Sequence, residues 1–325
     1  MVTRFSRLAV VAVSVCALAC SRQEPDVTCD AGRQQVSLDI SLQEPYTRVT
    51  DTAGEDEVES LQVFVFGENG VLEAYASDEA ATVSLTCTVG QKFIAAVVNA
   101  PRIQSVSDRA ALEEAVSSLE DNAPGKYVMY GYSQENIVAS TTVTVEVSRL
   151  VARVSIDRIT NAFTLEQYRN AEFKVERIYL INVAGDALYT GGGTPSVWFN
   201  RRSLSSEMAS LLSSGDLGES IAYGESYEQA HYFYCYPNPT RSDTHVEQWS
   251  PRYTRLVIET TLGGETYYYP ISIQGIEGNH KYEISELRIT RPGSSHPDIP
   301  VSLEDMTFEI IVSDWEPGTS GTVEI

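Results

Sequence analysis

Between Gln35 and Leu42 the chain reads QVSLDISL, and every second residue is aliphatic. Val36, Leu38, Ile40 and Leu42 fall on one side of an extended chain; Ser37, Asp39 and Ser41 fall on the other. That two-residue period marks a strand with one face in a core. Pro45 ends it, because proline lacks an N–H and restricts the residue before it. Arg48 follows, then the run DTAGEDEVES, which reads as an exposed linker within reach of a protease. The expectation is a strand that packs on a core yet hangs on a cleavable segment. Such a strand is a removable stopper, and the gap it leaves is a binding site for another subunit.

Similar short strands recur along the chain. SLQVFVF at 60–66 is followed by the turn Glu68-Asn69-Gly70 and a return at 71–75. Residues 81–89, 93–98, 141–147 and 150–156 read as further strands, and Arg153 in the last of them either faces solvent or pairs with an acid. One helix is expected over 107–121: Leu112, Ala115, Val116 and Leu119 share a face, Ser107 caps it and Pro124-Gly125 lies beyond its end. Later strands are expected at 173–183, 231–236, 254–262, 266–273, 282–290 and 307–315, with Gly263-Gly264-Glu265 turning a hairpin. Leu204, Met208, Leu211 and Leu212 form a short helical face.

Many short strands, regular turns and few helices imply a mostly β protein: two antiparallel β-sandwich domains of transthyretin-like or Greek-key type. With 325 residues, two domains of ordinary size are expected, at 49–160 and 161–325, behind a leader at 1–20 and a pro-segment at 21–48.

The net charge of −22 argues against nucleic acid as a partner, since phosphate binding needs clustered Lys and Arg. Arg4 and Arg7 precede an apolar stretch, Leu8 to Ala19, that is too short to span a bilayer. It ends in Ala17-Leu18-Ala19-Cys20. Small residues before a cysteine resemble a bacterial lipoprotein signal, with Cys20 acylated on its thiol; ordinary secretory cleavage near Ala19 is the other reading. Cys29, Cys87 and Cys235 are too few and too scattered for a disulfide framework and read as small core residues.

No HExxH, CxxC, GxGxxG or GxxxxGK[ST] pattern occurs, so neither enzyme chemistry, a cofactor nor a metal is expected. His231 and Cys235 are four apart, but in a strand that spacing makes no shared face; a core aromatic strand is the expectation there. Asp305, Glu309 and Asp314 read as a solvated strand face rather than a carboxylate site. Trp198, Trp249 and Tyr267 to Tyr269 are either core residues or sugar-stacking platforms. At the C-terminus Phe308, Ile310 and Val312 alternate with Glu309, Ile311 and Ser313, and Trp315, Val323 and Ile325 follow. This end is either an ordinary strand of its own sheet or a segment that pairs with an open edge on another chain.

Several stretches together resemble the fimbrillins, lipoprotein pilin subunits of type V pili in Bacteroidetes. They are VESLQVFVFGENGVLEAY at 58–75, VGQKFIAAVVNAP at 89–101, VEVSRLVARVSI at 145–156, YFYCYPNPT at 232–240, ITRPG at 289–293 and VSDW at 312–315. The resemblance implies a precursor lipid-anchored in the outer membrane. An arginine-specific or trypsin-like protease would then remove the first strand, and the subunit would pass into an extracellular pilus. On this chain the removed strand is Val36, Leu38, Ile40 and Leu42, and the cut falls between Arg48 and Val49; cutting at Arg33 would leave the strand attached. The donor is Phe308 to Ile325, with Phe308, Ile310, Val312, Trp315, Val323 and Ile325 as its apolar residues. The partners implied are other copies of the chain and other pilus subunits. A stalk subunit is the first reading; an accessory or tip adhesin, or a surface glycan-binding lipoprotein, are the others.

Overall fold

The computed structural model describes residues 34–42, 55, 57–243, 248–301 and 306–315. Cys20, Cys29, Arg33, Arg48, Val49, His245, Asp305, Val323 and Ile325 lie outside the described residues.

The first part of the chain forms strands β1 (Gln35–Leu42), β2 (Leu61–Gly67), β3 (Leu72–Asp78), β4 (Thr82–Thr88) and β5 (Gly90–Val98). After a short helix α1 (Arg109–Glu113) come β6 (Val116–Ser118), β7 (Met129–Ile137), β8 (Thr141–Val145) and β9 (Ser148–Arg149). All of these strands but β6 make two facing sheets, ordered β4-β1-β8 and β3-β2-β5-β7-β9. Between them Val36, Leu38 and Ile40 meet Leu61, Val63, Val65, Ile94, Ala96 and Val98. The opposite faces of β2 and β5 carry Phe64, Phe66, Phe93, Ala95 and Val97 into a second, larger core. A strand covered on both sides must be apolar throughout, which is why LQVFVFG has no polar face: Gln62 is buried, and its amide donates to the carbonyls of Ala100 and Pro101.

That larger core continues into the second part of the chain. Strand β10 (Ala152–Ile156) runs between the strand His231–Cys235, antiparallel, and the strand His280–Ile284, parallel. Sequence reading placed residues 150–156 with the first domain and its boundary near 160; the pairing puts β10 in the sheet of the strands that follow it. The hairpin Thr254–Leu262 and Glu265–Ile273 forms as expected, with Gly263 and Gly264 both at positive φ, the backbone a tight hairpin turn requires. The two halves are stitched by β6, which pairs with the strand Asp186–Leu188, and by the Tyr236 hydroxyl, which meets Ser117 Oγ at 2.7 Å and accepts from Asn122 Nδ2 at 2.9 Å.

The mostly β reading with a few short helices holds, but not every pair is antiparallel: β1 with β8 and β10 with His280–Ile284 run parallel. The helix expected over 107–121 covers only Arg109–Glu113, capped by Asp108, whose side chain accepts from the Ala111 N–H, rather than by Ser107. Beyond it Val116 is exposed and extended, because the strand Asp186–Leu188 offers it a ladder. Leu112 and Leu119 stay buried, so the apolar spacing was real but the periodicity was not helical. Of the helical face at 204–212 only Ala209–Leu212 is helical. The strand at 173–183 stops at Ile181, because Asn182 turns the chain with φ 56°.

Strand β7, MYGYSQENI, had no alternation to reveal it. Its Gly131 is there for space: a Cβ would stand 1.9 Å from the Glu146 carbonyl oxygen.

Candidate functional site

Strand β1 is the hub of its sheet. It pairs antiparallel with β4 from Gln35↔Thr88 to Ser41↔Thr82, and parallel with β8 from Leu38↔Thr141 to Leu42↔Val145. Among the described residues, β4 and β8 bond to no strand but β1. Taking β1 away would leave two bare edges about 9–10 Å apart, the width of one missing strand.

The sequence alternation is realised as read. Val36, Leu38 and Ile40 are 6%, 0% and 1% exposed, and Leu42 is half-buried at the rim. Their burial contributes very roughly 1.5–3 kcal/mol per side chain, an upper range because an unfolded chain already hides some apolar surface. The outer face is polar and wet: Ser84 Oγ donates to Asp39 Oδ1 at 2.6 Å, Ser41 Oγ meets Thr144 Oγ1 at 3.3 Å, and the Ser37 N–H donates to Ser140 Oγ at 3.1 Å. These exposed bonds align the strand and add little strength.

The other end of the chain lies in a different sheet. Phe308, Ile310 and Val312 all pack, half-buried, against the larger core, but Ile311 and Ser313 are half-buried too, so burial alternates over 308–310 and not beyond. The expected continuous strand over 307–315 is broken, however: Met306–Thr307 pairs with Leu287–Ile289, Phe308 to Ile310 belong to no strand, and Ile311–Asp314 pairs with His280–Ile284. This terminal strand is the outermost of its sheet among the described residues. Trp315 ends it in a deep seat, 3% exposed, stacked on Tyr234 at 5.9 Å and tilted against Tyr127 at 6.2 Å.

One residue of the acidic linker does not behave as an exposed linker should. Glu55 is 3% exposed, and its carboxylate accepts from Arg153 Nη1 at 3.3 and 3.1 Å and from the Tyr234 hydroxyl at 2.6 Å. Arg153 is itself buried, which settles the choice left open for it: it pairs with an acid. Burial first, and then the bond to Glu55, raise the pKa of Tyr234 far above that of a free phenol. Breaking such a buried pair by removing one partner costs about 3–5 kcal/mol. Sequence reading missed this cluster, since nothing local distinguishes Glu55 from the acids around it.

The remaining candidates scatter. The His231 ring lies in an aromatic strip, its Nε2 2.8 Å from the Tyr227 hydroxyl, and burial lowers its pKa. The Cys235 thiol is fully buried and pushed up to about 12 by desolvation. Among the described residues no group of three His, Cys, Asp or Glu is placed to hold a metal ion. Trp198 packs edge-on against Trp249 at 5.6 Å in the core, and Tyr269 is buried with its hydroxyl on the Arg291 carbonyl, so neither Trp198 nor Tyr269 offers a sugar platform. A cleft of about 940 Å3 opens between the halves, lined among others by Tyr130, Tyr132, Glu146, Arg241 and Asn279.

No family model matches the chain, and no curated protein does. Solved structures do match. A putative cell adhesion protein from Bacteroides eggerthii superposes with a TM-score of 0.66 at 17% identity, over 87% of this chain and 97% of that one. A fimbrilin from Porphyromonas gingivalis gives 0.60 at 18% identity, over 88% and 98%. The tip fimbrial protein of the same organism, C-terminally truncated, gives 0.55 at 14%, over 87% and 100%. At these identities the likeness is one of fold.

Proposed function

We propose that this chain, which has the fold seen in fimbrilins and related cell adhesion proteins of Bacteroides and Porphyromonas, is a structural subunit of a surface pilus. It is made as a precursor acylated on Cys20, held at the outer membrane, cut between Arg48 and Val49, and polymerised by strand exchange into an extracellular fibre. The observation that carries this reading is the place of β1: it is the sole ladder partner of both its neighbours among the described residues, and its apolar face is buried while its polar face is open. A strand so placed leaves as a unit and exposes a slot whose apolar floor is costly to leave wet.

The tail of a neighbouring subunit fills that slot. Val323 and Ile325, which follow Trp315 in sequence, are donor residues of that tail. Val312, Ile310 and Phe308 follow once the edge ladder of Ile311–Asp314 opens, which takes the loss of one pairing partner rather than two. A donor at one end and an acceptor at the other make a heterologous contact that does not close, hence a filament. A chain that both accepts and donates a strand fits a stalk subunit rather than a tip.

The test is to treat the purified precursor with a trypsin-like protease and look for filaments by electron microscopy. The wild type is expected to lose residues up to Arg48 and to polymerise, whereas Arg48→Ala stays monomeric. Filaments built from Arg48→Ala chains that still carry β1 would overturn the mechanism.

A further inference from the structure

We propose that β9, β10 and the strand His231–Cys235 carry a carboxylate-binding socket, and that Glu55 is its built-in ligand: one acidic side chain of the linker holds down both the start of the mature chain and Trp315, the root of the donor tail. That double role rests on the pilus reading above; the socket itself does not.

The socket is built from two guanidinium groups, a phenol and an indole. Arg153 and the Tyr234 hydroxyl hold the Glu55 carboxylate, and Arg149 Nε donates to the Glu55 main-chain carbonyl at 3.3 Å. Both guanidinium groups lie over the Trp315 ring, Arg149 at 4.6 Å and Arg153 at 5.5 Å from its centroid. Tyr234 joins the stack between Trp315 and Tyr127, whose centroid is 4.5 Å from its own. Trp315 therefore rests on cations that Glu55 helps to fix, with Asn279 on Arg149 and Glu283 on Arg153.

The charges explain why the ligand matters. Arg153 is 3% exposed and Arg149 9%, and buried cations need a counter-charge close by. Among the described residues a second carboxylate on Arg153 is Glu283, 3.3 Å away and partly exposed. Glu283 faces Ile311 of the terminal strand in the ladder. With the Glu55 carboxylate gone, Arg153 is drawn outward to Glu283 and water, and its share of the cation–π support under Trp315 goes with it, while Arg149 stays on the main-chain carbonyl of residue 55 and on Asn279 Oδ1. Cutting after Arg48 leaves Glu55 in place, so the mature chain stays latched until an exchange partner competes for its tail.

The socket is tested on the uncut precursor by hydrogen exchange read peptide by peptide. Glu55→Ala is expected to speed exchange in residues 306–315 by about tenfold or more while β2 and β5 keep their protection, because local opening and global unfolding are separate events. Glu55→Gln, which keeps the shape and an acceptor for Tyr234, serves if the alanine variant does not fold, with the same direction. A synthetic peptide DTAGEDEVES added to Glu55→Ala restores protection, and the same peptide with Gln in place of the first Glu does not. Unchanged exchange in 306–315, or an equal rise in β2 and β5, overturns the socket. Absence of filaments from protease-treated wild type would sink the pilus reading and leave the socket standing.

Discussion

Strands β1 and β10 occupy the same kind of position and differ in one respect, the cover on their second face. Each runs between an antiparallel neighbour and a parallel one. In β10 all five residues are buried, for both of its faces are covered. In β1 burial alternates, and Ser37, Asp39 and Ser41 look outward. A strand covered on both faces can leave only if the molecule comes apart. A strand open on one face comes away like a slat, at the cost of one row of apolar contacts and two ladders. On the proposed mechanism, removability would lie in the second face, not in the number of neighbours.

The comparison breaks most sharply if an acid is placed in each core row. Val154→Asp in β10 should yield no soluble folded protein, since an unpaired charge buried there has no exit. Leu38→Asp should instead expel β1 and leave the second half folded; limited proteolysis that clips β1 while the fragment beyond residue 150 survives is the expected pattern. Leu38→Ala is milder: a loss of about 2–5 kcal/mol in a urea titration is expected for a large-to-small change at a fully buried site. Asp39→Ala and Ser41→Ala, on the wet face of the same strand, should stay within roughly 1 kcal/mol of wild type, because exposed hydrogen bonds exchange for water. If the two faces of β1 proved equally sensitive, the slat picture would be lost.

The smallest effect separates the two strands by pH. His231, paired opposite Ile156 of β10, has its pKa lowered by burial. A His lowered in the folded state binds its proton more readily when unfolded, so its contribution is complete above the ordinary value of 6.5 and is lost as pH falls through the lower folded value. Acidification from neutral pH should therefore weaken the β10 sheet before the β1 sheet. His231→Gln should flatten that part of the stability–pH curve, followed by hydrogen exchange in residues 152–156.

Much of this contrast was legible from residue order, and the rest was not for definable reasons. Val36, Leu38 and Ile40 announced their buried face because strand geometry sends alternate side chains to opposite sides whatever the neighbours are. LQVFVFG announced its double burial by having no polar row. The 107–121 segment misled because Leu112 and Leu119 fit a helical face equally well, and only the presence of Asp186–Leu188 made the extended form of Val116–Ser118 the better one. Strand β7 stayed hidden because Gly131 reads as a break in sequence, whereas here it lets the Glu146 backbone approach.

Sequence alone determined which side of each strand is apolar and where the tight turns fall, because alternation and the backbone freedom of Gly263-Gly264 are properties of a few adjacent residues. Only the tertiary structure decided that β1 sits between β4 and β8, that β10 joins the second half, and that Glu55 meets Arg153, 98 residues away. Contacts between distant residues depend on which surfaces are left to cover once the strands exist, and a buried cation selects among several acids by position, which no short stretch of chain records.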